Sequence, residues 1–280
     1  MITKIISTSD LHIKNFKGLD ETQEQFTKFI NECKRVASEN GPENTRIVIA
    51  GDIVHSKLDV SNESLIMEAW LLTELDKICK TIVIAGNHDL NITNLQRTDS
   101  ITPVFAMCDL KQTIYLDKEL GYKSGSLVDD NVVWVLYSTF DNFIGPDNME
   151  VLKKTEKGKT FVGLFHGDLN GAKNASGVAL TGLELSHFSG TDFVIAGHIH
   201  KQQEIKKGKT TVVYCGSLIQ QNFGEDVYCH GYVLWSIPEN TWELVRIPNE
   251  DRGYYVFSIE SENDVDDNKE VFTNPGDKCQ

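Results

Sequence analysis

No apolar run in the sequence approaches the roughly eighteen residues that a membrane-spanning helix needs, which argues against a membrane role. Six cysteines are scattered through it (Cys33, Cys79, Cys108, Cys215, Cys229 and Cys279), and no two stand at CxxC spacing. That pattern suggests free thiols in a reducing compartment, with Cys33, Cys79 and Cys215 read as small buried hydrophobes. Basic side chains are in the minority, 27 Lys and Arg against 41 Asp and Glu, for a net charge of −14. A protein that grips nucleic acid unaided usually carries a basic footprint. Here metal ions and a partner would have to supply much of the positive charge. Repeats and low-complexity tracts are also lacking. Met1–Ile6 runs straight into a strand with no signal peptide, so a soluble, cytoplasmic protein is expected.

What is present is a chain of 280 residues, 40% of them hydrophobic, sufficient for one large domain or a domain with an appendage. Leu19–Asn40 reads as a helix, with Phe26, Phe29, Ile30, Cys33 and Val36 or Ala37 at helical spacing. Ser61–Lys80 reads as a second, with Ser61 as N-cap and a stripe of Leu65, Ala69, Leu72 and Leu75. Strands at Thr45–Ala50 and Thr81–Ala85 alternate with these helices, which implies parallel pairing with right-handed crossovers. Further strands are expected at Val132–Thr139, Phe161–His166 and Asp192–Ala196. Thr210–Cys215, Gly231–Ser236 and Thr241–Pro248 read as a β-meander, with turns at Lys207-Gly208 and Glu239-Asn240. Two stacked mixed β-sheets flanked by helices, an α/β/β/α sandwich, would satisfy both halves. Residues 1–250 are expected to form this domain. Residues 251–280 are expected to be an acidic tail or a truncated cap, since Glu260–Glu270 holds six acids against one lysine.

Five apolar runs stop at polar clusters. Ile2–Thr8 meets Asp10 and His12; Arg46–Ala50 meets Asp52 and His55; Thr81–Ala85 meets Asn87, His88 and Asp89. Phe161–Phe165 meets His166, and Phe193–Ala196 meets His198 and His200. Buried strands read as continuous apolar runs, and the functional groups of open α/β sheets gather beyond the strand ends. Alternation along a strand would point Asp10 and His12, or His198 and His200, the same way. Each cluster alone is a common occurrence; five in this order describe a bimetallic centre. The donors are nitrogen and oxygen with no thiolate, which favours manganese, with magnesium, iron or zinc as competitors.

These ordered motifs, Asp10-x-His12, Gly51-Asp52, Gly86-Asn87-His88-Asp89, His166 and Gly197-His198-x-His200, resemble those of the calcineurin-like metallophosphoesterases over roughly residues 1–250. The chain looks like the SbcD-type DNA repair and recombination nucleases and their bacteriophage relatives. Gly51-Asp52-Ile53-Val54-His55 and His166-Gly167-Asp168-Leu169-Asn170-Gly171 carry that narrower resemblance. So do Tyr214-Cys215-Gly216-Ser217-Leu218, Asn222-Phe223-Gly224-Glu225 and His230-Gly231-Tyr232. It implies two divalent ions, one held by Asp10, His12 and His200, the other by Asn87, His166 and His198, with Asp52 bridging. It implies catalytic parts for His88, flanked by Asp89, and for His55, which would orient the nucleic-acid backbone. The implied activity is phosphodiester cleavage in DNA by attack of a metal-activated water. The implied partners are DNA and an SbcC-like SMC-family ATPase; a homodimer is compatible with the pattern. A phosphoesterase for small phosphodiesters such as cyclic nucleotides is the alternative. His187 is expected to be a surface or structural residue, and His230 stands where a lysine is common in this branch.

Overall fold

The computed structural model describes residues 1–255 except 58, 209, 227 and 250–252. The expected acidic segment 260–270 and most of 252–259 lie outside the described residues. Among the described residues, twelve strands form two six-stranded sheets. The first contains β1 (Lys4–Thr8), β2 (Thr45–Ala50), β3 (Thr81–Ile84), β4 (Thr113–Tyr115), β11 (Gly231–Ser236) and β12 (Thr241–Arg246), in the order β12-β11-β1-β2-β3-β4. The second contains β5 (Gly125–Asp129), β6 (Val132–Tyr137), β7 (Thr160–His166), β8 (Phe193–Gly197), β9 (Gln203–Lys207) and β10 (Thr210–Tyr214), in the order β5-β6-β7-β8-β10-β9. β1 to β4 are mutually parallel, as are β6, β7, β8 and β10; β5, β9, β11 and β12 join antiparallel. The sheets are flanked by α1 (Leu19–Asn40), α2 (Asn62–Asp76), α3 (Ile101–Met107), α4 (Leu116–Glu119) and α5 (Met149–Thr155).

The central strands are rich in apolar residues because both their faces are covered. Along β2, Ile47 and Ile49 join the layer under α1 and α2, while Val48 and Ala50 join the layer between the sheets. Trp134, Leu164, Ile195 and Trp235 fill that middle layer. A third layer, with Phe165, Phe188 and Tyr214, covers the outer face of the second sheet. Helix α1 has the expected bounds and buried face, and ends where Gly41 takes φ 90° and donates its N–H to the Ala37 carbonyl.

Two expectations need correction. The three late strands are not a meander. β9–β10 and β11–β12 are separate hairpins, and they belong to different sheets, since β10 pairs with β8 and β11 with β1. Helix α2 has Ser61 as its N-cap, accepting from the Ser64 N–H, but it stops at Asp76 rather than Lys80. By Lys80 the chain has joined the sheet, its carbonyl accepting from Ile47 N. The buried positions of α2 are Ser64, Met67, Glu68, Leu71, Leu72, Leu75 and Asp76, whereas Leu65 and Ala69 are only half-buried. The face is rotated because two acids point inward. Asp76 accepts from the backbone N–H of Lys111, Gln112 and Thr113, anchoring the approach to β4.

Glu68 has no such compensation: both carboxylate oxygens are buried without a hydrogen-bond partner. Burial, then the charges of Asp89 and Asp99, push its carboxyl well above the ordinary 4.5. A raised acid favours the folded state only while protonated, so its ionisation costs stability increasingly above pH 4.5. Glu68→Met should therefore stabilise the protein at pH 7.5 by about 1–3 kcal/mol, the usual cost of an unsatisfied buried polar group. Urea unfolding at two pH values checks this. The gain should shrink toward pH 4.5; an equal gain at both, or a loss, would contradict the assignment.

Candidate metal centre

The five motif segments meet at one end of the sandwich, beyond the C-terminal ends of β1, β2, β3, β7 and β8. Strand alternation does not aim the ligands. Asp10, His12, Asp52 and His198 have φ of 52°, 45°, 55° and 94°, outside the strand range. The loops after β1 and β2 instead run side by side, Asp10 N donating to the Gly51 carbonyl, His12 N to Asp52 and Ile13 N to Ile53. Sparsely populated backbone at a site is maintained only where surrounding bonds enforce it. The motif glycines answer to close approach. A Cβ on Gly51, at φ 86°, would lie 2.5 Å from His166 Nδ1, and one on Gly86 would lie 2.2 Å from Asp52 Oδ1.

The seven expected donors fall into two groups, and a third cluster of His12, His55 and His88 lies beside them. Asp10, His12 and His200 place ligand atoms within 4.8 Å of one another, and so do Asp52, His166 and His198. His12 Nε2 lies 3.0 Å from His200 Nε2. Asp52 Oδ2 is 3.2 Å from His166 Nε2 and 3.7 Å from His12 Nε2, so one carboxylate oxygen faces both groups. Asn87 Oδ1 completes the second group, 3.2 Å from His166 Nε2 and 2.7 Å from His198 Nδ1.

The chemistry of this donor set fits divalent cations. His166 Nδ1 donates to the Ala50 carbonyl at 2.7 Å, and His200 Nδ1 donates to Glu225 Oε1 at 2.7 Å. Each ring therefore turns an Nε2 lone pair toward the centre, the tautomer a metal requires. Two imidazole nitrogens 3.0 Å apart cannot both present lone pairs unless a proton or cation lies between them. Without cations the centre is strongly polarised. Burial would lower His166, but the charges of Asp52 and Asp10 push it up to about 9. Burial would raise Asp52, but His166 and His12 hold it below the ordinary carboxylate range. Burial drives His12 well down. Filling the site must displace the His166 proton, so cation binding releases protons.

His88 stands beside the two groups. Its backbone N–H donates to Asp52 Oδ1 at 2.7 Å, and its Nδ1 donates to the His55 carbonyl at 2.6 Å. Nε2 is left for substrate. The rings of His55 and His88 lie 5.3 and 4.7 Å from that of His12, at the exposed edge of the centre. Asp89 is elsewhere, and its expected catalytic part is corrected here. Its buried carboxylate accepts four backbone N–H bonds, from Asp52, Ile53, Val54 and Gly86 at 2.8, 2.9, 3.2 and 2.8 Å. It clamps the second ligand loop to the third, as a positioning residue with no free face.

Two contributors had no role in the sequence reading. Glu225 is buried, orients His200, and also accepts from Gln221 N and Asn222 Nδ2. Its only signal was membership of the Phe223-x-Glu225 pattern. Asp168 Oδ1 lies 3.4 Å from His198 Nε2. His187 is structural as expected, its Nε2 donating to the Phe143 carbonyl. His230 is buried, with Nδ1 3.1 Å from Ser217 Oγ.

Among known proteins, the family described as calcineurin-like phosphoesterase matches residues 3–202. An uncharacterized protein of Acanthamoeba polyphaga mimivirus is 33% identical over 266 residues, covering 92% of this chain; the chain spans only 19% of that relative's length. A protein of Invertebrate iridescent virus 6, whose name is that of a candidate phosphoesterase, is 27% identical over 229 residues, 79% of this chain and 72% of its own. Among solved structures, GAP50, the anchor in the inner membrane complex of Plasmodium, superposes with a TM-score of 0.50. It is 11% identical, covering 88% of this chain and 89% of its own, a likeness of fold alone. No helix among the described residues is long and apolar enough to cross a membrane.

Proposed function

Since the chain belongs to the calcineurin-like phosphoesterase family, we propose that it is a dimetal phosphodiesterase acting on DNA, the nuclease subunit of an SbcC/SbcD-like pair. The observation that carries this reading is the double donor group around Asp52, set where surface clefts open on both sides. One cleft, of about 540 Å³, includes His12, Lys14, Lys17 and His55 in its lining. The other, of about 470 Å³, includes Asp168, His198, His200 and Glu225. Open clefts beside both donor groups suit a chain of phosphates better than a closed pocket for one small diester would.

Asp10, His12 and His200 would hold one ion, Asn87, His166 and His198 the other, and Asp52 would serve both. When bound, two divalent ions supply Lewis acidity and lower the pKa of coordinated water. Manganese is the expected occupant, with magnesium, iron or zinc competing. His88 would act through Nε2, donating to a phosphate or leaving oxygen when the ring carries a proton on both nitrogens. The His55 carbonyl fixes that ring, and its own imidazole would meet the nucleic-acid backbone at the cleft mouth. Residues 1–250 would be the catalytic domain.

Charge argues for the partner. Grip on duplex DNA depends on cationic side chains that displace counterions, and this chain carries −14. An SbcC-like SMC-family ATPase would supply that grip. The experiment is manganese-dependent digestion of end-labelled single- and double-stranded DNA beside bis-p-nitrophenyl phosphate, with and without the ATPase and ATP. The chain alone should cut short single strands weakly, and the partner should stimulate cleavage of duplex ends. Hydrolysis of cyclic nucleotides with DNA untouched would establish the small-molecule alternative. Tight, salt-sensitive duplex binding by the chain alone would overturn the partner argument.

A further inference from the structure

The cleft lined by His12 and His55 continues along the loop of Lys14 and Lys17 to Gln220, Gln221 and Tyr254. Beside it stands an unusual exposure of aromatic surface. Phe223 is 62% exposed and Tyr254 39%. Their ring centroids are 4.9 Å apart at an interplanar angle of 57°. Lys14 Nζ lies 5.9 Å from the Tyr254 centroid, within cation–π reach. Large rings left in water forgo the gain of burial, so a cluster of them beside a cleft marks a contact surface.

The rings are not carried on a loose segment. Gln220, itself buried, accepts from Tyr254 N at 2.6 Å and donates to the Tyr254 carbonyl at 3.0 Å. It also donates to the Glu225 carbonyl at 2.9 Å. Glu225 in turn accepts from His200 Nδ1 and from Asn222 Nδ2. One hydrogen-bonded unit therefore fixes Phe223 and Tyr254 relative to a metal ligand while leaving their faces open. The loop on the cleft's lysine side exposes a third ring: Phe16 is 73% exposed at φ 59°, a conformation bulky residues avoid. The charge of the cleft matches. Lys14 and Lys17 form no ion pair among the described residues. Glu21, the one carboxylate in the lining, accepts from Asn249 Nδ2.

We propose that Phe223 and Tyr254, with Lys14 beside them, form a stacking subsite for an unpaired base of single-stranded nucleic acid. It would hold the strand whose phosphates pass His55 toward the metal centre. This rests on the phosphodiesterase reading above and adds the form of substrate that the site prefers. A flat ring beside an ammonium group accepts any base through its π-face while the cation takes the adjoining phosphate, giving affinity without sequence preference. Duplex DNA keeps its bases stacked inward and cannot use such a surface.

The test is fluorescence anisotropy with the full chain in EDTA, where no cleavage occurs. The probes are a short oligothymidylate and an abasic strand of equal length and charge. Wild type should bind the base-bearing strand roughly 5- to 150-fold tighter, the value of one base–aromatic stack expressed as a ratio. Phe223→Ala and Tyr254→Ala should remove most of that preference while keeping the binding that both probes share. Phe223→Trp should restore it, which a merely misfolded loop could not do. Equal binding of both probes by a wild type that still digests oligonucleotides would overturn the subsite, leave the phosphodiesterase reading standing, and assign the rings to a protein partner. A wild type that digests no oligonucleotide would overturn both.

Discussion

Asp52→Asn will leave a folded protein with phosphodiesterase activity lower by about 10³-fold or more and with at least one bound ion lost. The carboxylate spends Oδ1 on the His88 N–H and turns Oδ2 toward His166 and His12. An asparagine of the same size keeps its oxygen on the His88 N–H, because an amide nitrogen there would oppose another donor. Its NH₂ then points at the centre, where the two proposed cations would sit. A bridging negative charge is replaced by hydrogen-bond donors, and several kcal/mol of electrostatic stabilisation are lost at about 1.4 kcal/mol per tenfold in rate. Metal content and turnover of bis-p-nitrophenyl phosphate check this together. Near-normal turnover with two ions bound would remove Asp52 from its bridging position.

His88→Ala should separate chemistry from metal binding. The imidazole donates to the His55 carbonyl through Nδ1, and only the residue's backbone N–H reaches Asp52. Truncation leaves that N–H in place, so both ions should remain. The rate should fall by about 10²–10⁴-fold, the usual contribution of a positioned acid or base. The outcome is open to contradiction because His12, His55 and His88 also place nitrogen atoms within 4.8 Å of one another. Loss of an ion from the His88→Ala protein would make that triad a ligand set and reverse the roles assigned to the histidines.

The parts legible in the sequence were those in which one physical cause dominates. β1, β2, β3, β7 and β8 are buried on both faces, so they read as mainly apolar runs and their ends located the centre. Helix α1 was legible to the residue because one face is buried and Gly41 ends it. The strands β4, β5 and β9 were missed. β4 is three residues long, β5 ends a sheet, and β9, Gln-Glu-Ile-Lys-Lys, is an edge strand mostly in water. Which sheet each late hairpin joins depends on long-range pairing with β8 or β1, and turn signals are silent on that. At the centre, residue types marked the ligands, but backbone geometry assigned the work. Asp89 looked catalytic beside His88, and only the four N–H groups around it show a clamp. Glu225 lies 25 residues beyond His200, at no spacing that periodicity could detect.

The central claim is that one chain holds two divalent ions on seven side chains sharing Asp52. Equilibrium dialysis of EDTA-stripped protein against manganese, with metal per chain counted as turnover is followed, tests it most directly. The account predicts saturation at two ions per chain, with proton release on binding and full phosphodiesterase activity only as the second ion fills. Saturation at one ion or none, or full activity in metal-free protein, would contradict it.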